Sequence, residues 1–406
     1  MSETLTSLDL VLKNVYEPKL ESYLLKVRDS VLKKAGTKKM KLEGRYMIFA
    51  AKTGRMQAMA DGAETAALPT AGNMSWLNGQ FFPREHSGTV SVFQASIERA
   101  KASGGSWITV LTEMMKDGME SVRFEQEMLL HGNGTGELAY LTGACDSTSQ
   151  TTLAGHQGPE GDHLLQNTAV VDLMYATDGD TVRANGVTVS AVTPTTCTLT
   201  GAPSGSGAND FFIRHGAKSQ TIQGLRSIIH TDNPQCPVGT YYGNLDRTLA
   251  ANAKWKGQRT SGATFSVAGT LDPAIDLHEQ YVGDEAMGEI RTSAPVYRKI
   301  AATAVPELVH YTQKELKDGV EVSYQKLMYR GHDIVKDMMC WREDLYIIDW
   351  STLFIGQTGP IKWLDTAGSI LQPVAGYKQV VAYTYWNREF VCLAPYRSIA
   401  LYSCLS

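Results

Sequence analysis

Residues 106–130 read SWITVLTEMMKDGMESVRFEQEMLL, and HGNGTGE follows at 131–137. Trp107, Leu111, Met114, Met115, Val122 and Leu129 recur at three-, four- and seven-residue steps, which gathers them on one side of a helix. Glu113, Lys116, Glu120, Arg123 and Glu127 form a stripe of alternating charge at the same spacing, which reads as a solvated face. Such a helix is about 37 Å long at about 1.5 Å per residue. The segment Gly132-Asn-Gly-Thr-Gly136 ends it. Its spacing is G-x-G-x-G with no Gly-Lys-Ser/Thr after it. It follows a helix, whereas a phosphate cradle sits between a strand and a helix N-terminus. Helix termination and a tight turn are the favoured reading.

On the N-terminal side, residues 5–35 read as two helical pieces, the second starting near Pro18. Leu20, Leu24, Val27 and Val31 line one face, Lys33 and Lys34 sit in the last turn, and Gly36 is the C-terminal cap. Residues 43–100 read as a two-stranded arm, with Arg45–Lys52 as one strand and Thr89–Ile97 as its return. The stretch from Thr53 to Gly88 between them is rich in Gly, Ala and Pro. A connection of that length is usually functional, mobile or ordered by a partner.

On the C-terminal side, residues 165–222 carry Val/Thr-rich segments, Thr181–Ser190 and Thr193–Thr200, and read as a small all-β insertion. Asn185-Gly186 is a hairpin signal within it. Beyond Gln223-Gly-Leu225 the chain is mixed. Leu271–Tyr281 and Thr312–Leu316 read as helical. Leu345–Asp349, Gln379–Trp386 and Phe390–Ala394 read as extended.

The chain of 406 residues is long enough for two or three modules and a sizeable core. Charged residues at 20% and hydrophobic residues at 43% give a soluble globular composition. No apolar run approaches the roughly 18 residues of a membrane span, and the N-terminus carries no secretory-signal pattern. The six cysteines form no C-x-x-C pair and read as reduced, mostly buried thiols. Residues 1–56 hold 12 Lys and Arg against 6 Asp and Glu, while net charge is −4. A basic N-terminal segment on an acidic body suits an acidic neighbour or nucleic acid, or a solvated helix face. The chain lacks the basic excess of a dedicated nucleic-acid binder.

No catalytic set emerges. His156 and His163 bracket a polar loop without a third ligand at a recognised spacing. His278-Glu279 has no second His four residues on, and no G-x-S-x-G elbow is present. Asp178-Gly-Asp180 lacks the later acidic ligands of a calcium loop, and Asp284-Glu285 would do acid–base work only inside a cleft. The reading is of a non-enzyme with no catalytic, cofactor-binding or metal residues. Trp76, Trp255, Trp350, Trp363 and Trp386 suit interfaces or ordinary core packing.

The order of these elements resembles the tailed-bacteriophage major capsid proteins of the Hong Kong 97 fold. Lys52-Thr-Gly-Arg55, Leu68-Pro-Thr-Ala-Gly-Asn73 and Trp76 look like the family's extended loop. Gly224-Leu225, Tyr242-Gly-Asn-Leu-Asp-Arg247 and Trp255 are similar to the stretch joining its two domains. Leu345–Asp349 and the run from Val380 to Pro395 also match.

The resemblance implies an α+β fold: an N-arm (1–41), an extended loop (42–100), and a peripheral domain (101–164) with the spine helix 106–130. It also implies the β-rich insertion (165–222), a peripheral/axial connection (223–275), an axial domain (276–375), and returning strands with the C-terminus (376–406). It implies self-assembly into hexamers and pentamers of an icosahedral shell enclosing double-stranded DNA. The implied setting is the virion capsid, assembled in the bacterial host cytoplasm, with no cofactor and no membrane. A portal at one vertex and a decoration protein are further implied partners. Only about 40 residues precede the loop, which implies a separate scaffolding protein. Some family members crosslink Lys to Asn; Lys52 is in a plausible region, but no Asn partner or carboxylate can be placed, so that chemistry is not carried over. The alternatives are an encapsulin-like compartment shell and a β-rich adhesion or sugar-binding protein. Length and the β insertion argue against the first; the second would be favoured by a secretory signal.

Overall fold

A computed structural model of the chain describes residues 30–52, 76–93, 106–143, 151–154, 165, 167–175, 181–193, 196–200, 206–218, 220–229, 241–262, 265–283, 288–303, 309–317, 320–365, 369–374, 376–377 and 379–405. The long helix runs Ser106–His131, and Met119, Val122, Gln126 and Leu129 lie on its buried side. It stops at the glycine segment, where Gly134 and Gly136 take positive φ and Asn133 Oδ1 accepts the Thr135 N–H at 3.0 Å. The short helix Leu225–Ile229 abuts this end. A Cβ on Gly224 would stand 2.4 Å from Leu129 O, so only glycine permits the approach.

A six-stranded sheet is built on the 14-residue strand Gln379–Cys392. The strands Arg84–Phe93, Leu353–Gln357, Lys362–Trp363 and Gln372–Pro373 all pair with it antiparallel, and Thr37–Lys39 adds to Leu353–Gln357 in parallel. Val122 of the long helix lies over Gly88 of this sheet. The expected return strand of the arm is therefore wrong. Met47–Lys52 pairs with Trp76–Phe81, while Arg84–Phe93 pairs residue for residue with Gln379–Arg388. Alternation marks a strand but names no partner. A long apolar strand near the C-terminus offers Arg84–Phe93 ten paired positions.

A closed barrel follows in the order Phe211–Arg214, Ala139–Leu141, Thr151–Ala154, Thr196–Thr200, Val182–Thr193, Val170–Met174. Two of its strands precede residue 165; closure abolishes sheet edges, and the Val/Thr-rich strands need these short ones to close. Asn185-Gly186 is not a turn. It lies within Val182–Thr193, where two residues, Asn185 and Gly186, oppose one, Asp172, on Val170–Met174. Gly186 takes φ 67° at this bulge, and its N–H donates to Asp172 Oδ1 at 2.7 Å.

A seven-stranded sheet completes the fold: Gln258–Ser261, Ile399–Tyr402, Leu345–Ile348, Glu289–Thr292, His332–Lys336, Val320–Tyr329, Val309–Lys317. The helices Asp272–Val282 and Ala294–Thr303 bury Ile275, Val296 and Ile300 against Ile290, Ile334 and Ile347. Leu271–Tyr281 is thus close to a real helix. Thr312–Leu316 is strand instead, inside Val309–Lys317. Five residues are too few to hold a helix against a nine-pair antiparallel ladder with Val320–Tyr329. The first N-terminal helix and Pro18 lie outside the described residues; Val31–Ala35 is helical and Gly36 caps it with φ 67°.

Candidate assembly surfaces

The hairpin Met47–Lys52/Trp76–Phe81 has two unlike faces, as strand alternation requires. Its inner face carries Met47, Phe49, Ala51 and Phe81, all buried. Phe81 meets Tyr242 edge-on at 4.9 Å and Phe49 at 5.7 Å, and Phe49 meets Phe354 at 5.3 Å. Trp255 closes the cluster, with its Nε1–H donating to Tyr242 O at 2.8 Å. The Tyr242 hydroxyl accepts the Cys392 N–H at 2.6 Å and donates to Phe390 O at 3.2 Å. Arg247 lies 4.6 Å over the Tyr242 ring and donates to Ser227 O and Ile228 O, satisfying the end of the short helix. Tyr242, Arg247 and Trp255, three of the sequence-marked residues, thus weld the hairpin base to the strand Gln379–Cys392.

The outer face and rim expose Tyr46, Ile48, Trp76 and Phe82; Trp76 is 54% accessible. Tyr46 and Phe82 contact edge-on at 6.2 Å. Tyr46 and Phe82 thus form an exposed pair at the hairpin base, and Trp76 stands exposed at the other end of the ladder, where it pairs with Lys52. Of the five tryptophans singled out, Trp255, Trp363 and Trp386 are core, Trp350 is half-buried, and Trp76 alone is exposed. Residues 53–75 between the two strands, including Arg55 and Leu68–Asn73, lie outside the described residues.

The second surface is where the N-terminal segment docks. The N–H groups of Val31 and Leu32 donate to Glu127 Oε2 and Oε1 at 3.1 Å each, while Ser30 Oγ accepts the Lys33 N–H. A carboxylate placed on the free N–H groups at a helix start is favourable. Glu127 is buried and is not part of a solvated charge stripe. Burial raises its carboxyl, against the opposing pull of His131 and the Leu32 N–H. One turn on, His131 Nδ1 lies 2.8 Å from Glu127 O, and Nε2 lies 3.0 Å from Asp337 Oδ2. Asp337 also takes Arg291 Nη1, Arg291 donates to Glu289 Oε1 at 2.6 Å through Nη2, and Lys34 reaches Glu289 Oε2 at 2.8 Å. Burial works against ionised Asp337, but His131 and Arg291 outweigh it and hold the carboxyl far below its ordinary value. The network ties the N-terminal segment, the long helix and the seven-stranded sheet together. No sequence spacing announces it, because its members come from residues 31 to 337.

A further buried pair braces the six-stranded sheet. Arg388 Nε donates to Gln126 Oε1 of the long helix at 2.5 Å, and burial lowers the guanidinium to about 10. Burial pushes Glu389 up to about 7, although it accepts the Gln223 and Phe390 N–H groups.

His278 is buried on its helix with Nδ1 2.7 Å from Arg397 O. His156, His163, Asp178, Asp180, Asp284 and Glu285 lie outside the described residues, as do Cys145 and Cys236. Cys197, Cys340, Cys392 and Cys404 are buried free thiols. Among the described residues no three His, Cys, Asp or Glu are grouped to hold a metal, and no helix is long and apolar enough to cross a membrane.

No protein-family model matches the sequence, and no curated protein matches it. Solved structures do. The capsid asymmetric unit of cyanophage A-1(L) superposes with a TM-score of 0.54 at 12% identity, over 97% of this chain and 95% of that one. Microbacterium phage Oxtober96 aligns at 0.45 and 11% identity, over 93% and 92%. The capsid of the native GTA particle aligns at 0.44 and 10% identity, over the same shares. The chain has the fold of a phage capsid subunit.

Proposed function

We propose that this chain is a structural shell subunit, the major capsid protein of a tailed bacteriophage with the Hong Kong 97 type of organisation. The observation that carries the reading is the likeness to the cyanophage capsid over nearly the full length of both chains. The exposed rings of Tyr46, Trp76 and Phe82 support it, because contact with a neighbouring subunit would remove their apolar area from water. In this reading the N-arm is 1–41, the extended loop 42–100, the spine-helix domain 101–164 and the insertion 165–222. The connection is 223–275, the axial domain 276–375 and the returning strands 376–406. Hexamers and pentamers close an icosahedral shell around double-stranded DNA, with a scaffolding protein during assembly, a portal at one vertex and a decoration protein outside. Each subunit contact removes apolar area worth roughly 25 cal/mol per Å². Repetition around closed symmetry then makes many modest contacts into a stable container. The acidic body suits DNA that is pumped in, since strong phosphate binding would impede its movement.

Negative-stain microscopy of the expressed chain, alone and with candidate scaffolding proteins, tests the reading. Closed shells or ring-shaped capsomers are expected. A chain that elutes as a monomer under every condition, and whose melting shifts with a sugar, overturns it.

A further inference from the structure

Two close contacts bear on the protonation of His131. Its Nδ1 faces Glu127 O, and a backbone carbonyl only accepts, so Nδ1 carries a hydrogen. Its Nε2 faces Asp337 Oδ2, which already receives Arg291, while Asp337 Oδ1 receives the Met339 N–H at 2.8 Å. Nε2 makes no hydrogen bond in this geometry, but it lies 3.0 Å from a carboxylate, and that proximity favours the imidazolium, which completes an ion pair there.

The charge bears directly on the N-terminal segment. The groups around His131 are Lys34 from that segment, Glu127 from its own helix, Glu289 and Arg291 from one strand, and Asp337 with the Cys340 thiol beyond the next. Burial pushes Cys340 well above its ordinary value, so it stays neutral. With His131 protonated, three cations face three carboxylates. Without that proton two cations remain, and Glu127 is left as a buried anion held chiefly by two N–H groups. An uncompensated buried charge is costly. Lifting residues 30–36 off the helix admits water to Glu127 and relieves it.

We propose that this junction is a pH-dependent latch: protonated His131 keeps residues 30–36 docked, and loss of its proton as pH rises releases them. Burial opposes the charge on His131, but Asp337 outweighs burial and holds the imidazole above its ordinary 6.5. A folded value above the unfolded one contributes stability that is fully present below pH 6.5 and is lost as pH rises through the folded value. Glu127, raised by burial, acts in the same direction. The latch belongs to a single subunit and stands or falls apart from the shell reading.

Hydrogen exchange followed by mass spectrometry on the full chain, between about pH 6 and pH 10 and corrected for intrinsic exchange, tests it. Protection of the peptide spanning residues 30–36 is expected to fall about tenfold in the wild type across the folded value and to stay level in His131→Gln. A level wild-type profile, or equal falls in both proteins, overturns the proposal. Should His131→Gln fail to fold, ring-carbon NMR of the wild-type histidines decides. His131 is expected to titrate above 6.5, and titration at or below that value overturns the proposal.

Discussion

Two regions fasten the first half of the chain to its second half, and they do so by opposite physics. At the hairpin base, Phe49, Phe81, Tyr242 and Trp255 interlock as rings with two hydroxyl and indole hydrogen bonds. At the junction under the N-terminal segment, Lys34, Glu127, His131, Glu289, Arg291 and Asp337 interlock as charges. Ring packing gains from area removed from water and is nearly indifferent to pH. A buried charge network gains only while every member stays ionised and paired. The first suits a permanent joint, and the second suits a contact that can be undone.

The largest effect should come from the aromatic joint. Phe81→Ala is expected to destabilise the subunit by about 4 kcal/mol, since it empties a ring-sized space among close-packed neighbours. Urea unfolding measures it, and the loss should be the same at pH 6 and pH 9. A pH-dependent loss would erase the contrast between the two regions.

Next in size is Asp337→Asn, which leaves Arg291 and His131 facing each other without the carboxylate between them. A loss of about 3 kcal/mol is expected. Its loss should shrink above the His131 titration, where the wild type has itself lost the pair.

A smaller effect sharpens the pH side of the comparison. Glu389 is raised to about 7, above its ordinary 4.5. Its contribution is present below 4.5 and lost as pH rises through about 7. Glu389→Gln should therefore flatten the stability profile below neutrality and leave the decline due to His131. Thermal melts across pH read both.

The smallest effect on the subunit should be Trp76→Ser, within about 0.5 kcal/mol, because the ring is already exposed. Under the shell reading the same change should sharply reduce particle yield by microscopy. Unchanged particles would remove the outer hairpin face from the assembly contacts.

Local pattern made several elements legible. The apolar stripe ending at Gly132 marks the long helix, Gly36 marks the end of Val31–Ala35, and alternating aromatics and valines mark Gln379–Cys392. Each of these depends on neighbours within a few residues. The errors share the opposite property. Thr89–Val92 reads as the partner of Arg45–Lys52, yet it pairs with Val380–Tyr383, almost 300 residues away. Asn185-Gly186 has turn chemistry, but its pairing with the preceding strand Val170–Met174 makes it a bulge. Glu127 completes a perfect charged stripe, and only the docking of Val31 and Leu32 shows that it is buried.

By itself, then, the sequence determined where the long helix ends, where Gly36 stops the N-terminal helix, that no motif for catalysis is spelled out, and that long elements stand in a capsid-like order. Periodicity, caps and glycine positions are local interactions, so they can be read locally. Only the tertiary structure decided strand partners, barrel closure, which tryptophan faces outward, and the ionic junction. Those depend on groups far apart in the chain meeting in one low-dielectric place, where burial changes what a glutamate or a histidine does.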